Sequence, residues 1–315
     1  GDLLIEGGNL FLGGAFSQTG PGSVLLGKEI TANTISFASP ITLTADSALT
    51  TNNGLSLSSS IDGAFDLALT AGAGSIFFQN SRLGYIDPLA SLTVQGSGLI
   101  FSGNVGLYSL GAMNLALSGE AQVSGLATLS IDAGASTVYL GPMGLHSALG
   151  SFSITAGLVY TQGIGTEGGS IMVQAPVELN ASEVLIDTTR NSASGAAITF
   201  SSTINSSASA SNSLSIVAGS SEVILASSIG NIHPLQSLSL VSTHAFDAPN
   251  ISVLQDLTIQ APIILSQSPS TIFSSQDQGT ISLGKVDGTD FGEQYIKIET
   301  TGVVSIGSVG EYVHL

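Results

Sequence analysis

Cysteine and tryptophan are absent from this chain of 315 residues, and only five residues are basic. Without Cys there is no disulfide frame, no iron–sulfur cluster and no thiol chemistry; the absence also suits a chain that must avoid crosslinking during export. Lys28, Arg82, Arg190, Lys285 and Lys297 lie far apart in sequence. So few bases form no phosphate-neutralising patch, which excludes nucleic acid as a partner and disfavours an anionic membrane surface. No run approaches the ~18 to 20 apolar residues of a membrane helix, so direct membrane insertion of this segment is not expected. Gly1 to Glu6 lack the basic and apolar regions of a signal peptide. The chain therefore reads as a mature protein or as a piece of a longer one. Lys, Glu and Arg, which favour helices, are scarce, and no stretch of 12 residues keeps an apolar i, i+3, i+4, i+7 face. Essentially no helix is predicted.

What remains is Gly (39), Ser (50) and 43% apolar residues at a mean hydropathy of +0.45. That supply of apolar side chains fills a large core and excludes disorder. Charge is sparse, 9% of residues, yet 22 acids give a net charge of -17.

The dominant pattern has a period of two. Ile35 and Phe37, Ile41 and Leu43, Leu55 and Leu57, Leu67 and Leu69, Leu129 and Ile131, Leu214 and Ile216, and Ile281 and Leu283 are i, i+2 apolar pairs. Such alternation turns one face of a short strand to a core and the other to solvent. Leu67, Leu69, Leu129, Ile131, Leu214 and Ile216 are the expected inward residues. Turn-forming clusters such as Asn52-Asn53-Gly54 and Asp62-Gly63 separate the pairs.

Three motifs recur. A proline segment reads ISFASPITL at 35–43, IMVQAPVEL at 171–179 and LTIQAPIIL at 257–265. An Ala-Gly segment reads LALTAGAGSIFF at 67–78, LSIDAGASTVYL at 129–140 and LSIVAGSSEVIL at 214–225. A Pro-Leu segment reads LGYIDPLASLTV at 83–94 and IGNIHPLQSLSL at 229–240, with LHSALGSFSI at 145–154 as a fainter copy. Superrepeats then begin near 35, 171 and 257, and the offset of 86 residues between Pro176 and Pro262 predicts equivalent positions a whole number of turns apart. Uneven spacing argues against a propeller, whose blades must match in length to close a ring, and favours an open stack whose turns contact only their neighbours. The fold expected is all-β, a right-handed parallel β-helix (β-solenoid) of about 14 coils of roughly 20 to 22 residues, continuous over 1–315 as a single domain.

SPITLTADSALTT (39–51), LTAGAGSIFF (69–78) and DPLASLTVQGSG (87–98) resemble the repeats of the filamentous-haemagglutinin-like adhesins, and the resemblance covers roughly residues 30 to 300. It implies a right-handed β-helical shaft of a large secreted or outer-membrane-associated bacterial exoprotein, adhesive and linked to virulence. The Asn-Pro-Asn motifs of that family's secretion domain have no counterpart, since no Asn-Pro dipeptide occurs. The resemblance thus implies an interior shaft segment at the bacterial surface, extracellular, acting as a rigid spacer and meeting a host or bacterial receptor or glycan. A carbohydrate-active β-helix, whether lyase, hydrolase or tailspike, is the alternative.

Catalytic signals are few, and no enzyme, catalytic residue or cofactor is expected. The Asn-Thr-Asp, Asp-Asp and Gly-His-Gly strings of polygalacturonase-like β-helices do not occur. Asp62, Asp66, Asp132 and Asp187 flank strands, where polar outward positions are expected. The densest acidic group, Asp287, Asp290 and Glu293, is a candidate for Ca²⁺, a hard cation that takes six to eight oxygens; a solvated turn is the plainer reading. His146, His233, His244 and His314 have no zinc spacing. Tyr85, Tyr108, Tyr139, Tyr160, Tyr295 and Tyr312 are candidates to offer rings to a glycan, with Tyr139 the clearest strand residue. Thr42-Leu43-Thr44 stands alone, so no ice-binding ladder is read.

Overall fold

A computed structural model describes residues 2–117, 122–123, 126–265, 271–288 and 295–310. Among the described residues there is no helix, and short strands stack in parallel as a β-solenoid of about 12 turns, close to the 14 expected. Two compact units divide the chain, Gly1–Val159 and Tyr160–Leu315.

Through most of the first unit each turn adds one strand to each of three parallel ladders, and the registers align inward side chains into columns. One column runs Leu3, Val24, Ile41, Ile61, Leu83, Leu107, Ile131 and Ile154. A second runs Leu10, Ile30, Leu49, Leu69, Val94, Leu115 and Leu140. The third holds Phe16, Ile35, Leu55, Ile76 and Leu99, with Phe37, Leu57, Phe78 and Phe101 beside them. From Val24 through Ile154 these first-column residues are buried, and the Phe78 and Phe101 rings of successive turns stack at 5.7 Å between centroids. Burying each such side chain is worth about 1.5–3 kcal/mol, so the columns dominate the stability of the unit. Turn length is not constant. Val24 to Ile41 is a short turn and Leu69 to Val94 a longer one, because residues are added at corners while the ladders keep register.

The second unit follows the same rule as far as its last turn, where Val304 and Val309 are exposed. Val177, Ile204, Ile229, Ile251, Phe273 and Ile298 form one column. Val184, Leu214, Leu238, Leu257, Ile281 and Val304 form another. Ile171, Ile198 and Val223 begin a third, which resumes as Phe246, Ile263, Val286 and Val309. The longest turn on the second of these columns runs from Val184 to Leu214 and carries the loop after Asp187. All six residues expected to point inward, Leu67, Leu69, Leu129, Ile131, Leu214 and Ile216, are buried.

Two of the three motifs are units of local structure. In the Ala-Gly segment a buried Ala lies at or just past the end of a strand, a Gly with left-handed φ follows, and a four-residue turn closes by a backbone bond. Gly74 N donates to Ala71 O at 2.6 Å, Ser136 N to Ala133 O at 2.9 Å and Ser221 N to Ala218 O at 3.0 Å. The glycines have φ of 41° (Gly72), 53° (Gly134) and 62° (Gly219). In the Pro-Leu segment a buried residue, a left-handed Gly and, further on, a buried Leu bracket a loop: Leu83, Gly84 and Leu89; Ile229, Gly230 and Leu235; and, in the fainter copy, Met143, Gly144 and Leu149. A Cβ on Gly84 would lie 2.2 Å from Tyr108 O, and one on Gly230 2.1 Å from Ser252 O.

The proline segment does not mark equivalent positions. Pro176 leads into Val177–Leu179, on the column of Ile204 and Ile229, whereas Pro262 leads into Ile263–Leu265, on the column of Phe246 and Val286. Their offset is therefore not a whole number of turns. Proline suits either corner, because its missing N–H and fixed φ are harmless just before a strand.

The packing makes two predictions. Leu129→Asp sets an unpaired carboxylate in a closed column at a cost of several kcal/mol, so thermal melting falls sharply; unchanged melting would contradict the column. In urea, Gly84→Ala loses more stability than Gly134→Ala. The Cβ at Gly134 meets no atom within 4 Å, leaving a left-handed backbone cost of about 1 kcal/mol.

Candidate functional site

The acids find a structural use at the corners, where the backbone ladder lapses. Asp2 Oδ1 accepts from Ser23 N, Asp46 Oδ1 from Asp66 N, Asp62 Oδ1 from Ile86 N and Asp256 Oδ1 from Thr280 N, at 2.8–3.0 Å. Asn80, Asn205 and Asn250 do the same for Asn104 N, Ile232 N and Ile272 N. Each oxygen thus satisfies an N–H one turn later. The Ser23 N–H bond also holds the Asp2 carboxyl below its ordinary pKa. Asp66 accepts from Ser91 Oγ at 2.6 Å, and Asp132 from Gly134 N at 3.0 Å.

Two further acids are buried. Asp187 accepts from Thr189 N and Oγ1 through Oδ1, and its Oδ2 lies 3.1 Å from Arg190 Nε, which anchors the long corner loop. Asp287, at the end of Ile281–Gly288, lies 3.6 Å from Lys285 Nζ and accepts from Gly288 N at 3.1 Å. Asp290 and Glu293 lie outside the described residues, as do Tyr312 and His314. Among the described residues no three His, Cys, Asp or Glu side chains gather as a metal site. His146 and His244 are exposed and His233 half-buried.

The larger concavities among the described residues include one in each unit. A groove of about 600 Å³ in the first unit is lined by Lys28, Glu29, Asp46 and Asp66 over the small side chains of Ala48 and Ala68. Its acids are already bonded, Glu29 to Asn9 and Thr31, and Asp46 and Asp66 in the corner chain above. In the second unit a cleft of about 740 Å³ opens between the turn of Val223–Leu225 and that of Phe246–Asp247, two strands that follow on one column without a shared ladder. Glu222, Ile224, Asp247 and Asn250 line it, and no Lys, Arg or His does.

The bases single out a different place. Lys285 pairs with Asp287, Arg190 with Asp187, and Lys297 with Glu299, whose carboxylate raises the Lys297 pKa. Lys28 and Arg82 make no ion pair among the described residues. Arg82 is nonetheless held in place: its guanidinium carbon lies 4.6 Å from the centroid of the Tyr85 ring, a cation–π contact. The Tyr85 ring meets Tyr108, one turn later, edge-on at 5.3 Å between centroids.

The fold builds this platform step by step. Arg82 faces outward because Leu83 faces inward. Left-handed Gly84 then turns the chain so that Tyr85 (54% exposed) and Ile86 (81% exposed) project from the wall. Gly84 N donates to Ile61 O, Ile86 N to Asp62 Oδ1 and Leu89 N to Tyr108 O, which fixes the loop at three points. Tyr108 ends Asn104–Tyr108 on the outward side, and its ring lies back over Gly106; a Cβ there would stand 2.7 Å from Cε2. Below the rings the outward column continues through Ser130 and Ser153, bonded to one another at 3.1 Å, with Asp132 beside them. Two aromatic rings, an unpaired guanidinium and a run of hydroxyls therefore share one outer wall.

Of the tyrosines considered in the sequence, Tyr85 and Tyr108 come together; Tyr139 lies apart in Thr137–Leu140, Tyr160 in Leu158–Thr161, and Tyr295 is exposed near the end of the described chain. Arg82 is not among the site residues that the sequence singles out. The signal available is Arg82-x-x-Tyr85 with Tyr108 following about one turn further along. No protein-family model, no curated protein and no solved structure matches the chain.

The bonding of Asp287 generates a prediction. With its carboxylate committed to Lys285 and the Gly288 amide, Ca²⁺ gains little there, so melting in excess EDTA equals melting in millimolar Ca²⁺. A Ca²⁺-dependent rise, removed by Asp287→Asn, would show a bound ion instead, since a ligand of the folded state stabilises it by mass action.

Proposed function

We propose that the chain is a structural and adhesive segment of a large secreted or surface-exposed bacterial fibre, a stiff spacer whose outer walls meet a host or bacterial surface. The observation that carries this reading is the architecture of each unit. Most of its apolar side chains close into continuous inward columns, and its outer walls carry mainly polar and small residues with scattered exposed apolar ones. Because every turn hydrogen-bonds to the turns on either side, bending a unit breaks ladder bonds on one wall, which makes it stiff. Recognition then falls to the loops, which change without disturbing the columns. The resemblance of the 39–51, 69–78 and 87–98 segments to filamentous-haemagglutinin-like repeats supports the same reading.

Labelling of intact producing cells with antibody against this chain tests the proposal. Signal on unbroken cells, removed by an added protease, is the expected result. Signal confined to lysed cells would overturn it.

A further inference from the structure

We infer that Arg82, Tyr85 and Tyr108 form a binding subsite for a sugar ring that carries a carboxylate. Three observations carry the inference. The first is the state of Arg82. In a chain with 22 acids against five bases, three bases are paired with a nearby carboxylate, whereas the Arg82 guanidinium is exposed and makes no side-chain hydrogen bond or ion pair among the described residues. A guanidinium presents donors in a planar fork that matches a carboxylate, and here the Tyr85 ring holds that fork in position before any anion arrives. The second is apolar surface where the fold gains nothing from it. Tyr85 and Ile86 are more than half exposed on a loop fixed at three points. A pyranose has an apolar C–H face and a polar rim, and a tyrosine ring is the side chain that packs such a face while keeping its hydroxyl in water. The third is the surrounding wall, where Ser130, Ser153 and Asp132 supply donors and acceptors for ring hydroxyls.

The charges facing Arg82 favour a single carboxylate on a largely neutral ring over a densely charged ligand. Asp62 and Asp87 belong to the same corner and Asp132 to the next turn but one, and all three repel a polyanion such as a sulfated chain. Asp62 is in addition committed to the Ile86 amide. The platform also owes its geometry to two glycines. Gly84 supplies the left-handed turn that points Tyr85 outward, and Gly106 leaves the space the Tyr108 ring occupies.

The inference deepens the adhesive reading and rests on it for the biological setting, but its test does not depend on where the protein resides. The purified chain is titrated with an aldobiouronic acid (one uronic acid linked to one neutral sugar), with 3′-sialyllactose and with neutral galactotriose, followed by tyrosine fluorescence and by calorimetry. Binding of at least one carboxylated sugar, with galactotriose weaker by about tenfold or more, is expected, because the charge-assisted pair to Arg82 is missing in the neutral ligand. The aldobiouronic acid and sialyllactose arms separate a uronic from a sialic acid. Arg82→Gln should abolish the preference for the carboxylate, and Tyr85→Ala should abolish binding. Tyr85→Phe, which keeps the ring, should retain it, and an unchanged melting temperature in all three variants shows that the fold is intact. Absence of binding by both acidic sugars, equal binding of galactotriose, or wild-type affinity in Arg82→Gln would each overturn the inference. Cells that keep the protein inside would sink the adhesive reading alone.

Discussion

The hydrogen-bonded ladder between successive turns is the constraint on which the rest of the molecule depends. A parallel strand has its N–H and C=O groups satisfied only by strands on both sides, so each turn must present strands in register with the last. Within each unit that fixes the walls and frees the corners. A short turn from Val24 to Ile41 and a longer one from Leu69 to Val94 coexist in the first unit because the difference is absorbed where no ladder runs. The inward columns are a consequence: once Val24 is opposite Ile41 and Ile41 opposite Ile61, an apolar residue in one turn requires an apolar residue in the next.

The same constraint gives several of the acids a structural use. Corners leave amide groups without a ladder partner, and a short side chain with an acceptor oxygen supplies one from the preceding turn. Asp46, Asp62 and Asp256 do this as Asn80 and Asn250 do, so the acids are acceptors first and charges second. Aspartate and asparagine suit the role because their reach is short and little side-chain entropy is lost on fixing them. Lysine and arginine have no acceptor to offer and are correspondingly rare. Three of the five bases neutralise an acid close by in sequence, and the exposed position of Arg82 on a tyrosine ring is conspicuous against that economy.

How much of this is legible in the sequence follows from range. Alternation within a strand is local, so Leu67, Leu129 and Leu214 are assigned inward correctly from their immediate neighbours. The Ala-Gly turn is legible for the same reason: a left-handed Gly after a buried Ala is written in a few consecutive residues. The proline segment misleads because it also is local. Pro176 and Pro262 obey the same corner rule on different walls, and no pattern of a few residues tells which wall a corner precedes. The expected count of turns is close but high, because stretches such as Val184 to Leu214 spend many residues on the corner of a single turn. The pairing of Tyr85 with Tyr108 is hidden by the same uncertainty. Two residues meet across turns only if the intervening turn length is known, and turn length is the quantity this fold leaves free.

That freedom explains why a binding platform belongs on the Pro-Leu loop. Leu83, Met143 and Ile229 are buried at its start and Leu89, Leu149 and Leu235 at its end, so its anchors are fixed. Between them, the two residues after the left-handed Gly are Tyr85 and Ile86 in one copy, Leu145 and His146 in another, and Asn231 and Ile232 in the third. Their side chains are exposed or half-exposed, so exchanging them leaves the columns and ladders intact. A solenoid built this way separates what holds the fold from what the fold displays. In the first copy the displayed pair gains a guanidinium from the preceding strand and a second ring from the next turn, so three residues from two turns act together without any one of them supporting the core.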